Sequence, residues 1–392
     1  MDFTFSAEQD ELRRAVRDLA ADRASSAQVR AAMQSPTGYD EALWKLVAGE
    51  LGLVGLAVPE DAGGAGGSFV DLAVVMEEAG RALLPVPLLS SAVVAAVLAR
   101  RTSADPVPAL AAITAGECVA AIAVGSEPLL STGSPDGETG AASAAGAAGV
   151  GEPAGVGGPA GVGGPAGVGS GDDGAGRLVG DLRYVVHAAA ADVLLIAAPD
   201  ALWLVATDAA GVTVQPQATL DPTRRQARVR LDGAAARRVG GAEDSARAVD
   251  LLRVALAVEL VGVMRWCLQA TVDYLKTRVQ FGRPIGSFQV LQHRAADLAV
   301  LLESAASSAY YAAWAAAEAP DELPVFAPLA LAVAGQAAER VTADTIQLHG
   351  GIGFTWEHDA HLYFKRATAT RLLLGDSHVQ RALVAERAHL VR

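Results

Sequence analysis

The chain has 392 residues, of which 52% are hydrophobic and 19% charged, and its formal net charge is -13 at pH 7. A chain of this length and apolar content buries a large core and has room for two or three domains. The negative charge argues against a nucleic-acid-binding surface and offers no attraction to anionic lipid, so neither kind of partner is expected.

The two cysteines, Cys118 and Cys267, lie too far apart in sequence for a C-x-x-C redox pair or a zinc motif. A reducing, cytoplasmic setting is therefore expected. The N-terminus lacks the basic segment and apolar run of a signal peptide. Apolar runs such as residues 92–99 are too short to cross a bilayer, so no membrane span is expected.

The N-terminal third is predicted to be helical. Ser6 followed by Gln9 predicts a capping box, and apolar residues recur at helical spacing beyond it. A glycine cluster at residues 63–67 interrupts this pattern, which resumes over residues 70–83. We therefore expect an all-α domain over residues 1–116.

A β domain is predicted over residues 117–240, because short β-prone runs replace the helical pattern there. These runs are residues 118–124, 183–186, 192–197, 202–207 and 212–214. Within the domain, residues 131–176 are of low complexity and repeat Gly-Val-Gly-Gly-Pro-Ala. Such a segment buries too little apolar area to offset its ordering entropy, so a disordered surface loop is expected.

Helical periodicity returns from about residue 242 and continues to the end of the chain. Residues 250–276, 288–319 and 325–348 are long enough to pack side by side as a bundle. The sequence thus predicts an α+β multidomain protein whose third domain, residues 241–392, is helical.

Several strings, in this order along the chain, resemble the acyl-CoA dehydrogenase family. They are Leu51-Gly-Leu-Val-Gly-Leu-Ala-Val-Pro-Glu60, Leu220-Asp-Pro-Thr-Arg-Arg225, Arg278-Val-Gln-Phe-Gly-Arg-Pro-Ile-Gly-Ser-Phe-Gln289 and Gln347-Leu-His-Gly-Gly-Ile-Gly-Phe354. The resemblance covers nearly the whole chain apart from the glycine-rich insert. It implies an N-terminal all-α domain, a central β-barrel-like domain and a C-terminal four-helix bundle, usually assembled as a tetramer with FAD between the β domain and the bundle.

The resemblance also implies a reaction. In this family a carboxylate removes the α-proton of an acyl-CoA substrate and the flavin accepts the β-hydride, which gives the trans-2-enoyl-CoA. An electron-transfer flavoprotein is the usual electron acceptor. The flavin supplies the redox chemistry, while the protein supplies the base, the orientation and the hydrogen bonds.

Two segments are implied to hold the FAD. Arg278 carries a planar fork of donors suited to phosphate oxygens, and Gly350 and Gly351 allow backbone amides to approach a pyrophosphate closely. By resemblance, one end of an FAD faces Arg278, Gln280, Phe281, Phe288 and Gln289, and a neighbouring subunit contributes Gln347, Gly350 and Gly351 to the same FAD. The alternative interpretation is a helix end and turn with a solvated arginine.

The catalytic positions depart from the family pattern. Aligned on the glycine turn without gaps, the usual catalytic glutamate falls on Leu374, and the alternative location on the first bundle helix falls on Leu252. The family's hydroxyl-bearing flavin loop survives only as Ser126-Glu-Pro128, and its Trp-Ile-Thr string reads Tyr184-Val-Val186. Arg253 matches an arginine that the family often keeps beside the active site.

Three carboxylates are candidates for a relocated base. Asp376 lies two residues beyond the empty position, Glu259 lies two helical turns after Leu252, and Glu357 is near the glycine turn. The alternative interpretation is that Asp376 caps the last helix, Glu259 is a buried polar residue in an apolar helix, and Glu357 is solvated.

A histidine-containing run, residues 357–361, has His349 and His378 nearby in sequence. Exposed polar residues account for this run, and the family needs no metal, so no metal site is expected.

Three functions follow as hypotheses. The first is an active FAD-dependent acyl-CoA dehydrogenase, in a homotetramer or heterotetramer, with Asp376 or Glu259 as base and Arg253 beside the site. The second is a non-catalytic partner subunit that contributes Arg278 and the glycine turn to flavin sites completed by a paralogue, as in heteromeric actinobacterial-type members that process bulky, steroid-like CoA esters. The third is a flavin hydroxylase on the same fold.

Overall fold

The computed structural model of the chain describes residues 4–100, 107–125, 130–131 and 174–390. Most of the predicted insert, 131–176, lies outside these residues, except that Ser131 ends one strand and Ala175 begins the next. The Ser126-Glu-Pro128 string also lies outside them.

The N-terminal part is helical, as predicted. Its helices are α1 Ala7–Arg23, α2 Ser26–Gln34, α3 Glu41–Trp44, α4 Phe69–Ala82, α5 Leu88–Ala99 and α6 Pro108–Thr114, with a π-helical turn at Lys45–Glu50 directly after α3. The capping box of α1 is confirmed, because the Gln9 amide donates to Ser6 Oγ at 3.2 Å and the Ser6 amide donates to Gln9 Oε1 at 3.1 Å.

The central part is one curled sheet. Its strands are β1 Ala120–Val124, β2 Leu130–Ser131, β3 Ala175–Val186, β4 Val193–Ala197, β5 Ala201–Ala206, β6 Val212–Gln217 and β7 Gln226–Gly241. Strand order is β1-β4-β5-β7-β3-β2, and β6 also pairs with β7. The long strand β7 bends, so that one of its edges pairs first with β6 and then with β5.

The C-terminal part is a bundle of long helices. They are α7 Ala242–Thr277, α8 Gln289–Glu318, α9 Leu323–His349, α10 Ala360–Leu372 and α11 Ser377–Arg387. A two-stranded hairpin, β8 Val279–Gln280 and β9 Arg283–Pro284, connects α7 to α8. The predicted three-part architecture is therefore confirmed. Among the described residues, no helix combines the length and apolarity needed to cross a bilayer.

Two glycines allow α4 of the N-terminal part to pack directly on α7 of the bundle. A Cβ atom on Gly262 of α7 would lie 1.8 Å from the Glu77 carbonyl oxygen, and a Cβ atom on Gly80 of α4 would lie 2.2 Å from the Glu259 carbonyl oxygen. The Glu77 side chain also pairs with Arg265. The two backbones are thus in contact, which fixes the N-terminal part on the bundle.

We expect Gly262→Ala to lower the free energy of unfolding by about 3 kcal/mol or more, at the upper end of overpacking costs, because the new methyl group meets backbone rather than a flexible side chain. Gly335→Ala in α9 is the matched control, since its Cβ would come no closer than 3.3 Å to a neighbouring atom, the Arg371 Cβ. Urea denaturation followed by circular dichroism measures both. Equal effects of the two substitutions would contradict the close α4–α7 approach.

Candidate functional site

The segment that follows α7 forms a tight hairpin at one end of the bundle. Gln280 and Arg283 pair across it, and the two turn residues, Phe281 and Gly282, have φ of 54° and 77°. Positive φ at both turn positions is typical of a type I′ hairpin, and it is uncommon for a residue with a bulky side chain. Phe281 is 90% exposed. The turn therefore projects an aromatic side chain away from the bundle.

Three polar side chains in or beside this hairpin have no polar partner. Within the described residues, Arg278, Gln280 and Gln289 make no side-chain hydrogen bond or ion pair, and all three are exposed. Phe288 packs edge-on against Phe281, with ring centroids 6.1 Å apart. The guanidinium and the two side-chain amides, which flank this aromatic pair, are therefore free to bind a ligand or another chain.

The glycine turn at the end of α9 lies at the same end of the bundle. His349, the last residue of α9, is 2% exposed, and its ring stacks on that of Tyr274 in α7 with centroids 4.7 Å apart. Its Nδ1–H donates to the Thr345 carbonyl oxygen at 2.7 Å. His349 directly precedes Gly350, and Tyr274 lies one helical turn before Arg278. The stacking of these two rings therefore places the starts of the two predicted flavin segments close together in one chain.

The turn itself needs glycine at its first position. Gly350 has φ 62° and ψ -142°, which is backbone space reserved in practice for glycine. A Cβ atom on Gly350 or Gly351 would meet nothing within 4 Å in this chain, so open space adjoins both residues. Gln347 is exposed and makes no side-chain hydrogen bond within the described residues. Backbone amides here can approach a phosphate closely.

These residues fit one chain's share of an FAD site. A guanidinium fork and glycine amides are the donors that a pyrophosphate takes, and free amide side chains suit a ribose or a flavin edge. Within the described part of the chain, the side chains of Arg278, Gln280, Gln289 and Gln347 have no polar partner, whereas the Gly350 amide donates to the Gln347 carbonyl oxygen. Arg278, Gln280, Phe281, Phe288, Gln289, Gln347, Gly350 and Gly351 would therefore hold FAD, with the two segments serving either one site or two.

Glu259, a predicted base, lies in a buried ion cluster. Arg224 Nη1 donates to its Oε2 at 2.6 Å, and Arg366 Nη1 donates to its Oε1 at 2.9 Å. Arg366 Nε also donates to Asp221 Oδ2 at 2.7 Å. These four residues, which we call the Glu259 ion cluster, are each 5% exposed or less. Both oxygens of Glu259 are thus occupied by permanent cations.

The space beside this cluster is small. A cavity of about 20 Å³ adjoins Arg224, Glu259, Arg366 and His187. Arg224 Nε is buried there and has no partner within the described residues. A volume of this size holds about one water molecule and no acyl chain. Burial, together with the nearby Arg224 and Arg366, lowers the pKa of His187 well below its ordinary value, so the imidazole is neutral.

Asp376, the other predicted base, caps α11. Its Oδ1 accepts hydrogen bonds from the His378 amide at 2.9 Å and from the Val379 amide at 3.1 Å. The hydrogen bond from Val379, with that from His378, lowers the pKa of Asp376 below its ordinary value, because both stabilise the charged form. The alternative interpretation of Asp376 as a helix cap describes what the structure shows.

Arg253 is held by a second buried group of polar side chains. Its Nη1 donates to Asp250 Oδ1 at 2.6 Å, and its Nε donates to Gln380 Oε1 at 3.0 Å. Asp250 also accepts from Arg387 at 2.8 Å. Arg253 is only 9% exposed. Its contacts tie α7 to α11, and the structure does not bring it next to Glu259 or Asp376 through any hydrogen bond.

The two positions where the family's base was expected are apolar in the structure too. Leu252 is 7% exposed within the core, and Leu374 packs against that core while its carbonyl oxygen accepts from Gln380. Glu357 is exposed.

Sequence reasoning missed the partners of Glu259. The sequence identifies Asp221-Pro-Thr-Arg224 only as part of a family string, and no motif points to Arg366. The available signal was the glutamate itself, because a carboxylate inside an apolar helical run is almost never buried without a cation. Which cations it meets depends on long-range packing, since Arg224 and Arg366 lie 35 and 107 residues away in sequence.

Comparison with known proteins agrees with this geometry. Residues 6–105 match the family model "Acyl-CoA dehydrogenase, N-terminal domain", and residues 240–389 match "Acyl-CoA dehydrogenase, C-terminal domain". The chain belongs to the acyl-CoA dehydrogenase family. This family consists generally of FAD-dependent oxidoreductases.

The chain is similar over most of its length to "Acyl-CoA dehydrogenase IpdE2" of Mycobacterium tuberculosis, with 38% identity over 368 residues, 94% of this chain and 93% of that protein. Among solved structures it resembles a variant of the Tcur3481-Tcur3483 steroid ACAD, with 28% identity, a TM-score of 0.82 and 98% of each chain covered. It also resembles the ChsE4-ChsE5 complex from Mycobacterium tuberculosis, with 26% identity, a TM-score of 0.84 and full coverage of both chains.

We expect Glu259→Gln to lower the free energy of unfolding by about 3–5 kcal/mol, because it leaves two buried guanidinium groups with too little negative charge. Glu318→Gln, at an exposed position without an ion pair in the described structure, should change it by no more than about 0.5 kcal/mol. Chemical denaturation of the two variants tests this. A Glu259→Gln protein as stable as the parent would show that the cluster is not essential to the fold.

Proposed function

We propose that this chain is the non-catalytic partner subunit of a heteromeric acyl-CoA dehydrogenase, and that a paralogous subunit supplies the base. The observation that carries the proposal is the state of the carboxylates. Leu374 and Leu252 occupy the expected positions, Glu259 is bound by two arginines, and Asp376 is bound by two backbone amides.

A general base must reach the substrate proton and must have an oxygen free to receive it. Glu259 would have to give up a charge-assisted hydrogen bond, and it adjoins a cavity of only about 20 Å³. Asp376 accepts both capping hydrogen bonds on Oδ1, and the lowered pKa that they give it makes it a weaker base. Loss of a base costs about 10²- to 10⁴-fold in rate, so this chain alone would be a poor dehydrogenase.

The end of the bundle supports a role in assembly. Phe281 is 90% exposed, Phe354 85% and Trp356 66%, and all three belong to the hairpin or to the segment around the glycine turn. Large apolar side chains exposed together mark an interaction surface. Within an assembly, Arg278 and the Gly350 turn would bind the phosphates of FAD, whose flavin ring would provide the hydride-accepting chemistry.

The β domain of this chain offers little to a flavin ring. Val186 stands where the family has a threonine and is 8% exposed, so it contributes no hydroxyl. Tyr184 adopts φ 58°, and its backbone amide donates to Gln217 Oε1 at 3.0 Å. These features support a flavin ring that is bound mainly by the other subunit.

The substrate we propose is a CoA ester with a bulky, steroid-type acyl group. The support is the similarity to the Tcur3481-Tcur3483 steroid ACAD, at 28% identity over 98% of the chain. In this proposal the acyl group lies in the paralogue's active site, and an electron-transfer flavoprotein accepts the electrons.

Production of this chain alone and together with a paralogous acyl-CoA dehydrogenase subunit tests the proposal. We expect a stable mixed tetramer that contains bound yellow flavin and is bleached by a steroid-type acyl-CoA under anaerobic conditions. The chain alone should show less than about 1% of that turnover, in line with the loss of a general base. A homogeneous preparation of this chain alone that binds flavin and turns over at ordinary rates would make it an active dehydrogenase instead.

Asp376→Asn in the mixed tetramer separates capping from catalysis. Asparagine caps a helix as well as aspartate does, so we expect unchanged activity and stability. Asp376→Ala should lower the free energy of unfolding by about 0.5–2 kcal/mol, again with little effect on chemistry. A drop of about 100-fold or more in kcat for Asp376→Asn, without loss of stability, would identify Asp376 as the base.

A further inference from the structure

An open cleft lies between the N-terminal helices and the bundle, and its lining includes no residue of the hairpin or of the glycine turn. Its volume is about 360 Å³, and residues of α1, α2, α4, α7 and α10 line it. This volume is within the range of small-molecule sites, about 300–1,000 Å³. None of the predicted flavin residues contributes to the lining. We call it the Arg81 cleft, after one of its lining residues.

The acidic side chains that line the Arg81 cleft are already neutralised. Glu78 accepts from Arg17 Nε at 3.1 Å and from Arg17 Nη2 at 2.6 Å. Asp359 accepts from Arg30 Nη2 at 2.6 Å and from Ser26 Oγ at 2.7 Å. Each carboxylate of the lining thus has its own guanidinium, and these pairs contribute no net charge.

Arg81 is a lining cation that belongs to neither of these ion pairs. Within the described residues its guanidinium makes no hydrogen bond and no ion pair. Its backbone is fixed, because the Tyr363 hydroxyl donates to the Arg81 carbonyl oxygen at 2.7 Å. The cleft therefore has one uncompensated positive charge, which is carried on a side chain whose base is held in place.

Apart from Ser25 and Ser26, the rest of the lining is apolar, and one side of it is an aromatic stack. Trp266 stacks on Tyr363 with ring centroids 3.7 Å apart and an interplanar angle of 5°. Small apolar side chains come from Ala20 of α1, from Ala24 directly after α1 and from Val29 of α2. Stacked rings that are locked together lose little entropy when a ligand binds, so the wall is preorganised for a flat apolar body.

We propose that the Arg81 cleft binds a small monocarboxylic acid, with its carboxylate on Arg81 and its apolar body against the Trp266–Tyr363 stack. A single free guanidinium forms a bidentate pair with one carboxylate, whereas a polyphosphate such as that of a CoA ester would need several cations. The site is independent of the flavin segments and of the proposed function.

Isothermal titration with benzoate, and with benzamide as a neutral molecule of the same shape, tests the proposal on the chain in the assembly in which it purifies. We expect benzoate to bind with millimolar or better affinity and benzamide at least about tenfold more weakly, as befits a charge-assisted pair. Arg81→Gln should weaken benzoate binding by a similar factor, and Arg81→Lys should restore part of it.

Two further variants control for loss of structure. Ala21→Phe, at an exposed lining position of α1, should fill the cleft and abolish binding without any change of charge. Arg14→Gln, on an exposed part of the same helix outside the cleft, should bind benzoate like the parent. Equal binding of benzoate and benzamide, no binding of benzoate at millimolar concentration, or unchanged binding by Arg81→Gln would each overturn the proposal.

Discussion

The Glu259 ion cluster is the interaction on which the arrangement of this molecule depends. Its members come from the segment between β6 and β7, from α7 and from α10, so one buried carboxylate joins the β domain to two bundle helices. Charges removed from water in this way are tolerated only when each has a close partner of opposite sign. The same requirement places an arginine on each oxygen of Glu259, which supports the proposal that another subunit supplies the base.

Under the proposed function, the family scaffold persists while its base lies in another chain. The exposed hairpin and the residues around the glycine turn keep side-chain donors without polar partners among the described residues, such as Arg278, Gln280 and Gln347. The positions expected for the base hold Leu252 and Leu374, and Glu259 lies in buried ion pairs. Arg253 matches an arginine that the family often keeps beside the active site, and in this chain Asp250 and Gln380 hold its guanidinium.

Much of the architecture followed from the sequence. Helical periodicity and β-prone runs located most helices and five of the strands. An element with one buried face has apolar residues at regular spacing, which the sequence shows directly. The long strand β7 was missed, since arginines, alanines and glycines replace the usual β-branched residues in its second half. The positions of the site residues were predicted only where motifs were local, as in the hairpin. The pairing of Glu259 with Arg366 was not predictable, because no local pattern records a contact across 107 residues.

The hairpin has a consequence for partner recognition. Phe281 sits on a two-residue turn whose backbone is set by the pairing of Gln280 with Arg283, so the backbone that carries the ring has little freedom left to lose when another surface covers it. A large aromatic group at the tip of a projection is the type of residue that dominates binding energy at interfaces. In the proposed assembly with a paralogue, the depth and shape of the pocket that receives this ring would decide which paralogues assemble with this chain, and chains without such a pocket would be rejected even if the rest of their surface were complementary.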